Sequence, residues 1–194
     1  RILDLATDKD GVVLDFMAGS GTTGHAVLAA NKEDGGNRRF ILCTNNENNI
    51  CTDVCYPRIK KVIQGYKNIN GEKVAGLGGN LKYYICDFVK AEPTDRNKRK
   101  LVNESTEMLC IKENAFELVQ DKGDLKIFKN SEKYLGIVFY EEAIDDYKKA
   151  IGKIKGHFNT YVFSLGDDPH EKRFEDVKDK VSLCAIPEVV LKVY

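Results

Sequence analysis

Asp15 and the glycines Gly19, Gly21 and Gly24 are the residues of this chain whose types and spacing point most directly to chemistry. They lie in "VVLDFMAGSGTTGHAVLAANK", residues 12–32: an apolar run, an acid, a glycine-rich turn and then a helical pattern. Such a turn can hold a ligand through its backbone N–H groups, and three ligand chemistries compete for it. A triphosphate would need a lysine and a hydroxyl just after the last glycine. His25 and Ala26 stand there instead, so the main partners of the β- and γ-phosphates and of Mg²⁺ are missing. A dinucleotide fits Gly19 to Gly24 as GxGxxG, with Glu47 as the ribose-binding acid, somewhat farther along than the ~20 residues of that fingerprint. Asp15 argues against it, because "DFMA" delays the first glycine and puts a carboxylate where a diphosphate would rest. A carboxylate there attracts a ligand with an ammonium and a sulfonium instead. S-adenosylmethionine has both, and its own carboxylate can use the N–H groups that open the Thr22 helix.

The elements that must position these residues read as alternating strand and helix. Residues 12–16 are expected as a buried parallel strand, 22–31 as a helix, and "RRFILCTN" as a second strand. From Ile50 the apolar residues keep a helical period, with a kink or restart near Tyr56 imposed by Pro57. "INGEKVAGLGGN" is expected as a loop and "LKYYICDFV" as a third strand ending at Asp87. This alternation implies an α/β fold, a parallel sheet with helices on its faces and ligands outside the carboxyl ends of the strands. Asp15 to Gly21, Asn45 to Asn49 and Asp87 would then share one edge. Residues 91–104 are expected as a charged linker between a domain of residues 1–90 and a small α/β domain of residues 105–194. In the latter, a hairpin at "DKGD", a strand "KYLGIVFY", an amphipathic helix "EEAIDDYKKAIGKI" and a strand "FNTYVFSL" follow in turn. A short helix "EKRFEDVKD", a strand "VSLCAI" and a helix opened by Pro187 complete it. "RILDLAT" reads as the end of a helix, and without an initiator Met the chain is expected to be a piece of a longer protein.

Composition narrows the classes. At 194 residues the chain can form one large or two small domains. Thirty Lys+Arg balance thirty Asp+Glu, so no global field favours nucleic acid or membrane. No run of ~18 apolar residues and no signal-peptide pattern occurs, which reads as a soluble, cytoplasmic protein with no membrane partner. The six cysteines form no CxxC pair and have no histidine nearby in sequence. Reduced structural thiols are therefore expected, and no metal site.

"LDFMAGSGTTGHAV" resembles the cofactor-binding signature of amino-DNA methyltransferases, for which "LDFFAGSGT" is the expected pattern. "RRFILCTNNE", "YPRIKKVIQGY" and "GLGGNLKYYICDFV" resemble the methylation subunit of type III restriction–modification systems, over roughly residues 2–90. The resemblance implies a Rossmann-like half-domain that binds S-adenosylmethionine and, in the full-length parent, adenine-N6 methylation of DNA alongside a restriction subunit; a homodimer stays open. It implies cofactor contacts from Asp15, Phe16, Met17, Ala18, Gly19, Ser20, Gly21, Thr22 and Thr23, with Asn45 or Glu47 at the ribose and Asp87 at the adenine amine. Met17 departs from the family, which has Phe there; a soft apolar side chain keeps the packing. The family's catalytic tetrapeptide, [DNS]PP[YFW], is absent, since Pro57, Pro93, Pro169 and Pro187 are all isolated. In a permuted enzyme it would lie upstream, so this chain alone is expected to be inactive.

The plainer reading of each residue stands beside these. Asp15 could cap the turn, the glycines could merely permit its angles, and Thr22 and Thr23 could cap the helix rather than donate to a ligand. Asn45 and Asn46 compete with Glu47, and Asp87 could be a solvated strand-end carboxylate. "RIKK" at 58–61 and "RNKRK" at 96–100 could touch DNA phosphates or simply face water. His25, His157 and His170 read as packing or surface, and Tyr83 and Tyr84 as core and strand surface. Two rival classes remain: a dinucleotide-dependent oxidoreductase, and a non-catalytic nucleic-acid or partner-binding module.

Overall fold

The computed structural model describes residues 6–90, 92, 94–163, 170–187 and 190. The chain divides into two compact units, Arg1–Cys86 and Asp87–Tyr194. Both are mixed α/β. The helix end expected in "RILDLAT" and most of the helix after Pro187 lie outside the described residues.

In the first unit, β1 (Val12–Asp15) pairs in parallel with β2 (Arg39–Leu42), Asp15 standing opposite Leu42. Between them runs α1 (Thr22–Asp34). Side chains alternate across a strand, and here one face, with Phe40 and Leu42, packs beside Leu28 of α1 and Ile59 and Val62 of α2 (Tyr56–Gln64). The opposite face is open: Leu14 is 60% exposed. The strand expected to be buried is thus covered on one side only. The restart at Pro57 holds. A π-helical turn, Ile50–Cys55, gives way at Tyr56 to α2, with the proline in its first turn where no N–H is required.

Two expectations fail beyond α2. The glycine-rich loop contains a strand, β4 (Lys73–Ala75), which pairs back on β3 (Gly65–Lys67) as a small hairpin closed by the Asn68 side chain accepting from the Asn70 and Glu72 N–H groups. "LKYYICDFV" forms no strand, and Phe88 is 93% exposed. Its apolar composition suits a pleated surface, but a strand needs a neighbour to complete its ladder, and among the described residues none pairs with it.

The second unit is a five-stranded sheet in sequence order: β5 (Glu117–Asp121), β6 (Leu125–Lys129), β7 (Tyr134–Val138), β8 (Phe158–Val162) and β9 (Val181–Leu183). The first three strands are antiparallel, the last three parallel. One face packs on α3 (Asp95–Glu113) through Leu101, Val102, Leu109 and Cys110; the other packs on α4 (Ile144–Gly152) through Ile144, Tyr147 and Ile151. The hairpin at "DKGD" and the amphipathic helix stand where the sequence puts them. The charged linker does not: from Asp95 onward it is the first half of α3, capped by the Thr94 hydroxyl accepting from the Asn97 N–H, and its Leu101 and Val102 are core.

Candidate functional site

The turn after β1 is built around the Asp15 carboxylate, which the strand's alternation places on the half-buried side. One oxygen accepts from the Met17 N–H (3.0 Å) and the other from the Thr23 hydroxyl (2.5 Å). The backbone straps the turn to β2: the Cys43 N–H donates to the Asp15 carbonyl, and the Ala18 N–H to the Cys43 carbonyl. Gly19 and Gly21 take left-handed angles, φ 50° and 78°, as a tight reversal into a helix requires. Gly21 precedes α1 without any capping side chain. A Cβ there would lie 2.9 Å from the Cys55 sulfur and 3.2 Å from Ile59. Phe16 and Met17 project from the turn, 73% and 81% exposed, while Ala18 is buried beneath it.

Arg58, at the start of α2, reaches 38 residues back to clasp this turn. Its Nη1 donates to the Ser20 carbonyl (3.1 Å), the Ser20 hydroxyl (2.9 Å) and the Thr22 hydroxyl (3.0 Å), and its Nη2 lies 3.4 Å from His25 Nδ1. Nothing local in "YPRIKK" announces this. Of the two readings left open for 58–61, DNA contact and a solvated face, neither describes Arg58, whose guanidinium is engaged with the protein; Lys60 and Lys61 are exposed. His25, read as packing, also helps to hold the arginine. Thr22 accepts within the protein, whereas Thr23 donates.

At the same sheet edge, the loop after β2 uses three asparagines, 46, 48 and 49, in left-handed conformation. The Asn46 side chain accepts from the Cys51 and Thr52 N–H groups (2.9 and 3.1 Å), so it organises the loop. Glu47 and Asn45 are exposed, joined by the Glu47 N–H donating to the Asn45 side chain (3.1 Å) and by Asn45 Nδ2 at 3.5 Å from the Glu47 carboxylate. Asp87 is not at a strand end. It opens the second unit, ion-paired with Lys100 at 2.8 Å, and this bond together with the Phe88 N–H lowers its pKa. Residues 15–23 and the loop with Asn45 and Glu47 thus follow the two parallel strands at their carboxyl ends, whereas Asp87 follows no strand and belongs to the second unit.

The surroundings are structural. Cys55, buried under the turn, has its thiol pKa pushed up chiefly by burial, as expected of an inert packing thiol. The Tyr83 ring packs 5.2 Å from Tyr56. Among the described residues no group of His, Cys, Asp and Glu could hold a metal, and no helix is long and apolar enough to cross a membrane. The arrangement offers a hydrogen-bonded turn held by a carboxylate and a guanidinium, with exposed apolar side chains at Phe16 and Met17. That is binding chemistry.

The turn's rigidity is testable. Gly21→Ala is expected to cost roughly 1–3 kcal/mol, combining a left-handed alanine with displacement of Cys55 and Ile59. Gly35→Ala, at φ 69° with nothing within 4 Å, serves as control and is expected to lose only about 1 kcal/mol. Urea unfolding of the two variants measures the difference.

Fold and turn define an α/β protein with a glycine-rich turn at a strand tip, and sequence comparison gives that class a direction. No protein-family profile matches the chain. A stretch of 44 residues, 23% of the chain, is 75% identical to the type III restriction–modification enzyme StyLTI Mod subunit of Salmonella typhimurium, covering 7% of that protein. Over 86 residues, 44% of the chain, it is 42% identical to the type II methyltransferase M.KpnI of Klebsiella pneumoniae, covering 18% of it. Over 46 residues, 24% of the chain, it is 48% identical to the type III restriction–modification enzyme EcoPI Mod subunit of Escherichia phage P1, covering 7% of it. In these segments the chain is similar to methyltransferases of restriction–modification systems, and each match spans less than a fifth of the relative.

Proposed function

We propose that this chain is the S-adenosylmethionine-binding part of a DNA methyltransferase, acting on adenine N6 in a type III-like restriction–modification system. The observation that carries the reading is the similarity to two Mod subunits and a type II methyltransferase. The turn fits the cofactor on chemical grounds. Asp15 uses two of the roughly four lone-pair sites of a carboxylate, leaving acceptor capacity for an ammonium. The cofactor supplies an electrophilic methyl on sulfur; the chain's own residues bind and orient. Thr23 fixes Asp15 for the ammonium, Asn45 or Glu47 takes the ribose hydroxyls, and Phe16 and Met17 offer apolar contact. On this reading residues 1–90 are the cofactor-binding part, residues 105–194 form a domain of separate role, and DNA and a restriction subunit are partners of the full-length enzyme. Lacking [DNS]PP[YFW], the chain alone does not methylate DNA.

The Arg58 guanidinium beside the turn keeps the dinucleotide alternative open, because it favours an anion. Calorimetric titration with S-adenosylhomocysteine and with NAD separates the two. Heat from the first ligand alone is expected; heat from NAD alone would transfer the turn to the oxidoreductase class.

A further inference from the structure

We infer that Arg58 is the positioning residue through which the turn selects a ligand with a zwitterionic amino-acid end; this rests on the cofactor reading above. Four contacts tie the guanidinium to Ser20, Thr22 and His25, while Asp15 bonds to Met17 and Thr23 of the same turn. The Ser20 and Thr22 hydroxyls at the start of α1 both accept from Arg58. Arg58 is half-buried, so its fork is ordered and its charge less screened than on an open surface. Cys55, under the turn, lies within electrostatic reach of both Arg58 and Asp15. One fixed negative and one fixed positive group therefore bond to the same short loop. A diphosphate satisfies only the second and repels the first; a simple cation does the reverse. An α-amino acid end, with an ammonium and a carboxylate a few bonds apart, satisfies both. Arg58 fixes the Ser20 and Thr22 hydroxyls for the carboxylate, and Asp15 takes the ammonium. A lysine would keep the charge, but its single nitrogen could not meet the Ser20 and Thr22 acceptors and His25 from two separate donor nitrogens, as the guanidinium does.

The test titrates the whole chain, Arg58→Gln and Arg58→Lys with S-adenosylhomocysteine and with 5′-methylthioadenosine, which keeps the nucleoside and thioether but has no amino-acid end. Arg58→Gln is expected to lose about tenfold or more in affinity for the first ligand, the scale of one charge-assisted hydrogen bond. Its affinity for the second should stay within about twofold. Arg58→Lys should fall between wild type and Arg58→Gln for the first ligand and match wild type for the second. If Arg58→Gln does not fold, the Lys variant alone decides, since equal affinity to wild type for S-adenosylhomocysteine refutes the inference. Equal losses for both ligands reduce Arg58 to a structural strut and also refute it, with the cofactor reading intact. A folded wild-type chain that binds neither ligand removes the cofactor reading itself.

Discussion

Gly136→Ala is expected to unfold the second unit near physiological temperature, although one methyl in a strand ordinarily stabilises by limiting the unfolded chain. Gly136 sits mid-way along β7, opposite Ile127 of β6 and Thr160 of β8. A Cβ there would overlap the Tyr147 hydroxyl and lie 2.5 Å from its ring Cζ. The tyrosine cannot yield. It is fully buried, packs edge-on against Phe158 and beside Phe174, and shares a 2.6 Å hydrogen bond with the Thr160 hydroxyl. Overpacking of this kind costs roughly 3 kcal/mol or more, and moving the ring would also break the Thr160 bond. For a unit of this size that is a fall of at least about 10 °C in Tm. Tyr147→Phe removes the overlapping oxygen, so the double variant should be less destabilised than the sum of the singles, by about 1 kcal/mol or more. Differential scanning calorimetry on the four proteins reads both quantities. A Gly136→Ala protein melting within a degree or two of wild type would show that the ring has room.

What could be read in the sequence was local. The β1–turn–α1 segment announces itself because an apolar run, left-handed glycines and a helical period follow one another within twenty-odd residues. Pro57 marked the restart of α2 because its missing N–H forbids the helix interior but suits the first turn. The hairpin between β5 and β6 and the amphipathic α4 were visible for the same reason. By contrast, α3 was concealed. Two of its inward positions are Ser105 and Thr106, both buried, and Thr106 satisfies its hydroxyl by donating to the Val102 carbonyl one turn back. Polar residues on the inner face and charge on the outer erase the apolar period. "LKYYICDFV" failed the opposite way, since strand-like composition does not supply a neighbouring strand.

At the site, Asp15, the glycines and Thr23 were legible as types at a spacing, and their bonds follow from that spacing. Arg58 was not. Its contacts depend on how α2 lies across the start of α1, set by Gly24, whose missing side chain lets Leu42 and Ile59 approach to 2.9 and 3.2 Å of a Cβ position. The choice among Asn45, Asn46 and Glu47 was equally hidden. Only the left-handed backbone at residue 46 turns that side chain inward to cap the next element, leaving the other two exposed. Pairings that span tens of residues come from packing, and one chain read alone carries no trace of them.

Glu113→Ala is expected to destabilise the second unit by about 2–4 kcal/mol, the scale for depriving two hydrogen-bonding side chains of their acceptor. The carboxylate is 7% exposed and lies in the last turn of α3, where the helix dipole disfavours an anion. It is kept there by three donors: Lys133 Nζ at 2.6 Å, Asn159 Nδ2 at 2.7 Å and the Tyr161 hydroxyl at 2.5 Å. Removing it takes the acceptor from the buried Tyr161 hydroxyl and from the half-buried Asn159 amide. The same geometry fixes a pH dependence. Burial alone pushes the Glu113 pKa up, but the bonds from Lys133, Tyr161 and Asn159 outweigh it and hold the group below its usual range. A folded-state value below the unfolded one means that the unfolded chain takes the proton first as pH falls. The stabilisation is therefore complete above the ordinary glutamate value of about 4.3 and drains away below it, as pH falls through the folded value. Urea midpoints measured from neutral pH down to about 3 should drop steeply in wild type and less steeply in Glu113→Gln, which has no proton to gain there. Parallel slopes would place the acid sensitivity of the unit in its exposed carboxylates, and a wild-type midpoint that rises on acidification would reverse the sign of the shift.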